Sequence, residues 1–153
     1  MKTLVAYYSR TGTTRKVAQS IADSLKCDVE EIVDKKDRNG PVGYVIGGRD
    51  AMKKSLTEIE TKKDPAEHGL VVIGTPVWAW TMCHAIRTYL TKFKFKKVAF
   101  FCTMGGSGAE NAFKDMEELC RKKPAAVLEL KTKEVNNGDY SKKIDDFVKK
   151  LIN

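Results

Sequence analysis

The sequence is short of the features that mark several large protein classes. No run approaches the ~18 uninterrupted apolar residues of a bilayer-spanning helix, so no membrane insertion is expected. The chain passes from Met1 straight into the strand-like run Thr3–Tyr8, with no secretory-signal pattern. Its four cysteines, Cys27, Cys83, Cys102 and Cys120, form no C-x-x-C pair and no zinc spacing. They read as free thiols in a reducing cytoplasm, with no metal site. There are only two histidines. His68 precedes Gly69 in a polar turn and reads as solvated. His84 follows Cys83 directly, and helix neighbours point apart, so the pair does not suit nucleophilic catalysis. Acidic residues are outnumbered by 28 Lys and Arg to 20, for a net charge of +8. The lysines are nevertheless spread along the chain, as in Lys122-Lys123 and Lys149-Lys150, and read as a solvated basic surface. No stripe of interleaved basic and aromatic residues points to nucleic acid.

What is present is an ordinary globular composition, 42% apolar and 31% charged, over 153 residues. That suffices for a single domain, 1–153, with a buried core. Strand-like runs at Thr3–Tyr8, Val29–Val33, Leu70–Ile73, Val98–Cys102 and Ala126–Leu130 alternate with helical patterns. Apolar stripes at three- and four-residue steps run through Val17–Leu25, Met82–Phe93, Ala112–Cys120 and Ile144–Ile152, and a shorter helix is expected at Arg49–Leu56. Strict alternation predicts an α/β fold with a doubly wound, five-stranded parallel sheet covered by helices on both faces. The first, third and fourth strands are continuously apolar and suit the interior. The second carries Glu30 and Glu31 and the fifth Glu129, charges that an edge strand tolerates. The order 2-1-3-4-5 follows. Its ligand crevice lies beyond the carboxyl ends of strands one and three, where the winding reverses.

Three sequence loops open onto that crevice. The first, Ser9-Arg10-Thr11-Gly12-Thr13-Thr14, joins a strand to a helix. The first N–H groups of a helix are unpaired and lie at its positive end. With side-chain hydroxyls and a glycine around them they form a seat for a phosphate dianion. The second loop, Gly74–Met82, contains Pro76, Val77, Trp78, Ala79 and Trp80. Two indoles one residue apart suit contact with a flat aromatic ligand, although either could simply plug the end of the sheet. The third, Thr103-Met104-Gly105-Gly106-Ser107-Gly108, lets the backbone come close to a ligand and present N–H groups to a heterocycle's polar edge. Ser107 could equally serve as a helix N-cap.

Other phosphate seats are missing. There is no G-x-x-x-x-G-K-[ST] of a nucleoside-triphosphate loop and no G-x-G-x-x-G after the first strand. The first and third strands do not end in the aspartates of a phospho-accepting receiver, and the phosphate turn has no cysteine nucleophile of a phosphatase. A terminal monophosphate on a flat ring remains, which describes FMN.

In these residues the chain resembles the flavodoxin family, itself the usual illustration of the crevice rule used above. Ser9–Thr14 resembles the family's phosphate loop; Gly74-Thr75-Pro76-Val77-Trp78 is similar to the G-[ST]-P-[IV]-W stretch, beside the flavin ring, of a flavodoxin-like branch common in prokaryotes, and Thr103–Gly108 to that branch's third loop on the pyrimidine side. Gly43–Gly48 and the short helix after it are also similar, which would bring Tyr44 toward the flavin. The resemblance implies a flavodoxin-like three-layer α/β/α fold of the short-chain type. It implies FMN as cofactor and a role carrying electrons between redox partner proteins, which the basic surface would make acidic ones. The alternative is an NAD(P)H-dependent, FMN-containing flavin or quinone reductase of the same fold. No residue is assigned a catalytic role. Two departures stand out. The second and third loops contain no acid, and no glycine falls between Thr75 and Met82, where electron-carrying members often have one turned toward flavin N5. Basic, acid-free surroundings should favour the reduced flavin anion and raise the second reduction potential.

Overall fold

A computed structural model describes residues 2–36 and 56–152. Along them run β1 (Thr3–Tyr7), α1 (Thr13–Leu25), β2 (Asp28–Glu31), β3 (Val33–Asp34), β4 (Ile59–Glu60), a 3-10 turn (Pro65–Glu67), β5 (Leu70–Trp78), β6 (Thr81–Met82), α2 (His84–Lys92), β7 (Val98–Met104), α3 (Ala109–Cys120), β8 (Val127–Lys131), α4 (Thr132–Asn136) and α5 (Ser141–Ile152). The expected helix at Arg49–Leu56, but for Leu56, and the Gly43–Gly48 stretch with Tyr44 lie outside the described residues.

The central sheet has the parallel order β2-β1-β5-β7-β8, the 2-1-3-4-5 arrangement expected from the placement of charge. Strand periodicity divides its side chains between two cores. Leu4, Ala6, Ile73 and Phe100 meet Ile86, Tyr89 and Leu90 of α2 and Met116 of α3. Val5, Val72, Ala99 and Phe101 meet Val17 and Ile21 of α1 and Ile144, Phe147 and Leu151 of α5. Phe101 lies opposite Gly74 in the register, and a Cβ on Gly74 would come within 2.0 Å of its ring. Glycine there is a packing requirement of the sheet.

Several boundaries differ from the sequence expectation. Strand β5 continues past Ile73 to Trp78, and β7 past Cys102 to Met104. The extension has backbone partners: Pro76 lies opposite Thr103, and β6 turns back on β5 to pair Val77 with Met82 and Trp78 with Thr81. Pro76, Val77, Trp78, Thr103 and Met104 therefore sit on strands rather than in loops, and α2 begins at His84 rather than Met82. Val33 leaves the main sheet to pair with Glu60 in a small antiparallel ribbon.

The acidic edge is also more covered than expected. Glu30 is only 6% exposed, because its carboxylate accepts the backbone N–H groups of Lys62 and Lys63 in place of water. His68, expected in solvent, is buried; its Nδ1 lies 3.0 Å from the Asp64 carbonyl oxygen and its Nε2 3.7 Å from an Asp28 carboxylate oxygen. It follows directly on the 3-10 turn, and its burial beside Asp28 of β2 is a tertiary effect that the polar local sequence conceals. Among the described residues no helix is long and apolar enough to cross a membrane.

Candidate functional site

The turn from β1 into α1 is organised from within. Ser9 is buried, and its Oγ accepts the N–H groups of Gly12 (3.0 Å) and Arg15 (3.2 Å). That leaves its own hydroxyl hydrogen as a donor. Gly12 is the N-cap of α1 at φ +99°, without a capping side chain, and the first turn of the helix carries no acid. Ser9 takes the third N–H of α1, which leaves the N–H groups of Thr13 and Thr14 at its positive end without a side-chain cap among the described residues. Thr11 is exposed and Thr13 half-buried, with their hydroxyl oxygens 3.5 Å apart. Thr14 is buried and shares a 2.8 Å hydrogen bond with Thr103 at the end of β7. This bond ties the first sequence loop to the third.

The two tryptophans part company. Trp78 is 7% exposed and meets Tyr8 edge-on, with ring centroids 5.7 Å apart. Trp80 is 65% exposed at the tip of the β5–β6 hairpin, where Ala79 and Trp80 both take positive φ, +50° and +64°. A two-residue hairpin turn with both central residues in this region has the type I′ character that favours Asn-Gly. Gly105, Gly106 and Ser107 are exposed beyond β7, and Gly108 rather than Ser107 is the N-cap of α3.

A cavity of about 210 Å³ brings the loops together. Arg10, Thr11, Thr13 and Thr14 line one part of it; Pro76, Val77 and Trp78 another; Thr103, Met104 and Gly105 a third. Ser9, Gly12, Ala79, Trp80, Gly106 and Ser107 stand outside this lining. Arg10 is the one charged residue among the described residues that line it. Thr132, at the start of α4, also lines it, and its hydroxyl donates to the Met104 carbonyl (3.2 Å). The sequence reading missed this residue, although a threonine at the carboxyl end of the fifth strand lies where a crevice residue should be sought. A roomier cavity of about 660 Å³ lies at the other end of the sheet, between the C-terminal ends of α2 and α3, away from all three loops.

Arg15, on the exposed face of α1, makes a two-pronged ion pair with Glu31 (2.7 and 2.9 Å), and the Tyr7 hydroxyl donates to the same carboxylate (2.8 Å). The guanidinium holds Glu31 below the ordinary carboxylate range. Burial, with the neighbouring carboxylate, pushes Tyr7 up to about 12. Cys83 and Cys102 are fully buried, and burial pushes their thiols up to about 11 and about 12. Neither is an activated nucleophile. No cluster of His, Cys, Asp and Glu among the described residues could hold a metal ion.

A family model described as Flavodoxin matches residues 2–151. Among solved structures, a candidate flavoprotein from Bacteroides uniformis superposes with a TM-score of 0.79 at 25% identity, covering 97% of both chains. A flavoprotein from Lactobacillus acidophilus, solved in complex with FMN, gives 0.69 at 24% identity, over 89% of this chain and 97% of that one. Oxidised Flavodoxin 2 from Bacillus cereus gives 0.63 at 17% identity, over 99% and 97%. No curated protein sequence matches the chain.

Proposed function

The chain belongs to the flavodoxin family, and we propose that it binds FMN in the crevice beyond β1 and β5 and carries electrons between redox partner proteins. One observation carries this reading. A single cavity joins a hydroxyl-rich helix N-terminus, with one arginine, to a buried indole and the first glycine of the third loop, Gly105. The first part suits a phosphate dianion and the second a flat heterocycle.

The hydroxyls of Ser9, Thr11, Thr13 and Thr14, the backbone N–H groups of Arg10, Thr11, Thr13 and Thr14 and the Arg10 guanidinium would hold the phosphate, while the Gly12 N–H stays on Ser9 Oγ. Pro76, Val77 and Trp78 would border the ring on one side, with Ala79 and Trp80 at the hairpin tip. Thr103 and the backbone of 104–107 would meet its polar edge. Bound FMN would supply the redox chemistry; the chain's residues grip it, orient it and set the surrounding charge. At about 210 Å³ the cavity is smaller than the ~300 Å³ at which enclosed small-molecule sites usually begin. A flavin nucleotide would then be held by one end while the other stays at the mouth, the exposure a carrier needs. The free cysteines suit a reducing compartment, in keeping with a cytoplasmic carrier.

Reconstitution with FMN followed by anaerobic addition of NADPH tests the proposal. A yellow complex that stays oxidised until a separate reductase is added is the expected result. Prompt bleaching by NADPH alone would replace the carrier with the NAD(P)H-dependent reductase, and a colourless protein would refute both.

A further inference from the structure

Most of the described hairpin rests on one helix. We propose that Asn111 and Asp115 of α3 are positioning residues for the ring half of the site: they hold the β5–β6 hairpin, and with it Trp78 and Trp80, independently of the phosphate turn. This rests on the FMN reading above.

Asn111 and Asp115 lie one turn apart, so α3 presents both on one side. The Asn111 side-chain amide donates to the Trp80 carbonyl oxygen at 2.6 Å. The Thr81 hydroxyl donates to Asp115 Oδ2 at 2.6 Å, and Thr81 is the residue paired with Trp78 across the hairpin. On its other side Thr81 Oγ1 accepts from Arg87 Nη2 (3.0 Å), and Arg87 is itself only 7% exposed. Burial works against the Arg87 charge, and the Asp115 carboxylate is its largest compensation. One turn before Asn111, Gly108 sits at φ +106°; a Cβ there would lie 2.8 Å from the Val77 side chain and 3.1 Å from the Trp80 Cα. The start of α3 is therefore in contact with the hairpin at three successive places.

The hairpin needs such a hold. Ala79 and Trp80 adopt a conformation that L-residues enter at a cost, and a turn of these residues has little reason to keep it alone. It persists because surrounding bonds over-determine it. The phosphate turn has separate supports, the Ser9 bonds and the Thr14–Thr103 bond. The two halves of the site can accordingly be weakened one at a time.

The test uses the full chain with Asn111→Ala and Asp115→Ala. Asn111 is exposed, so its removal spares the core. Three quantities are read: the FMN dissociation constant, the visible circular dichroism of bound FMN, and the rise in melting temperature caused by inorganic phosphate alone. Each variant should bind FMN about tenfold more weakly, the scale of one lost hydrogen bond. Each should also show a diminished flavin dichroism and keep the wild-type response to phosphate. Wild-type affinity and dichroism in both variants would overturn the inference, as would an equal loss of the phosphate response. A wild-type protein that fails to bind FMN would overturn instead the reading on which it rests.

Discussion

At the scale of single residues, polar groups that the sequence leaves unpaired settle the geometry of the crevice. Thr14 and Thr103 are 2% and 3% exposed, and each gives the other a hydrogen-bond partner. Thr14→Val should cost about 1 kcal/mol in urea unfolding of the FMN-free protein, because it removes the hydrogen-bond partner of the nearly buried Thr103 hydroxyl at the cavity wall. The double variant with Thr103→Val should cost less than the sum of the two single changes. Ionisation supplies a second prediction. Arg15 holds Glu31 below its ordinary value of 4.5, so the carboxylate's contribution is complete above that pH. It is lost as the pH falls through the lower value of the folded state. The pair is 53% and 35% exposed, and screening limits the effect to at most about 1 kcal/mol. Tyr7 acts at the other limit: its neutral form is favoured, and that contribution disappears as the pH rises from 10.0 toward about 12. Thermal melts across pH should show both limbs in the wild type. Glu31→Gln should lose the acid one.

At the scale of elements, the β5–β6 hairpin is the part whose local sequence disagrees with its conformation. Replacing Ala79-Trp80 by Asn-Gly matches the residues to their positive φ. It should raise the FMN-free protein's stability by about 1 kcal/mol; under the proposed binding mode, which puts Trp80 at the edge of the ring half of the site, it should also weaken FMN binding. Calorimetry and flavin titration on the same variant would separate the two effects. The same hairpin shows where the sequence was legible. Runs such as Leu70–Ile73 and Val98–Cys102 are bounded by hydrophobicity, so strand identity and order could be read from which runs carry charge. The continuation through Pro76 to Trp78 depends on partners at 81–82 and 103, which no local pattern announces. For the same reason the separation of Trp78 from Trp80, the burial of His68 and the place of Thr132 were hidden. Each depends on what another segment brings alongside. The strand–helix junction at 9–14 was legible because an apolar run gives way there to a helical stripe, and such a junction exposes its N–H groups whatever surrounds it.

At the scale of the whole molecule, charge is the feature that distinguishes this chain from an acidic carrier. Its net charge is +8, and the crevice lining among the described residues contains Arg10 and no carboxylate. A nearby cation favours an added negative charge, so the second reduction midpoint of bound FMN should lie above that of acidic members of the family. Spectroelectrochemical titration would find it there; a midpoint as low as theirs would show that the charge around the crevice does not govern the potential. Reduction by an acidic partner should also slow steeply as salt is added. All of this depends on the crevice seating a phosphate and a flat ring together. The most direct check is a fluorescence titration of FMN and of riboflavin with the FMN-free protein. The account predicts one-to-one quenching of FMN at micromolar affinity or tighter, riboflavin binding far more weakly, and loss of that difference on Thr13→Ala with Thr14→Ala. FMN that remains fully fluorescent at saturating protein, or that binds no better than riboflavin, would contradict it.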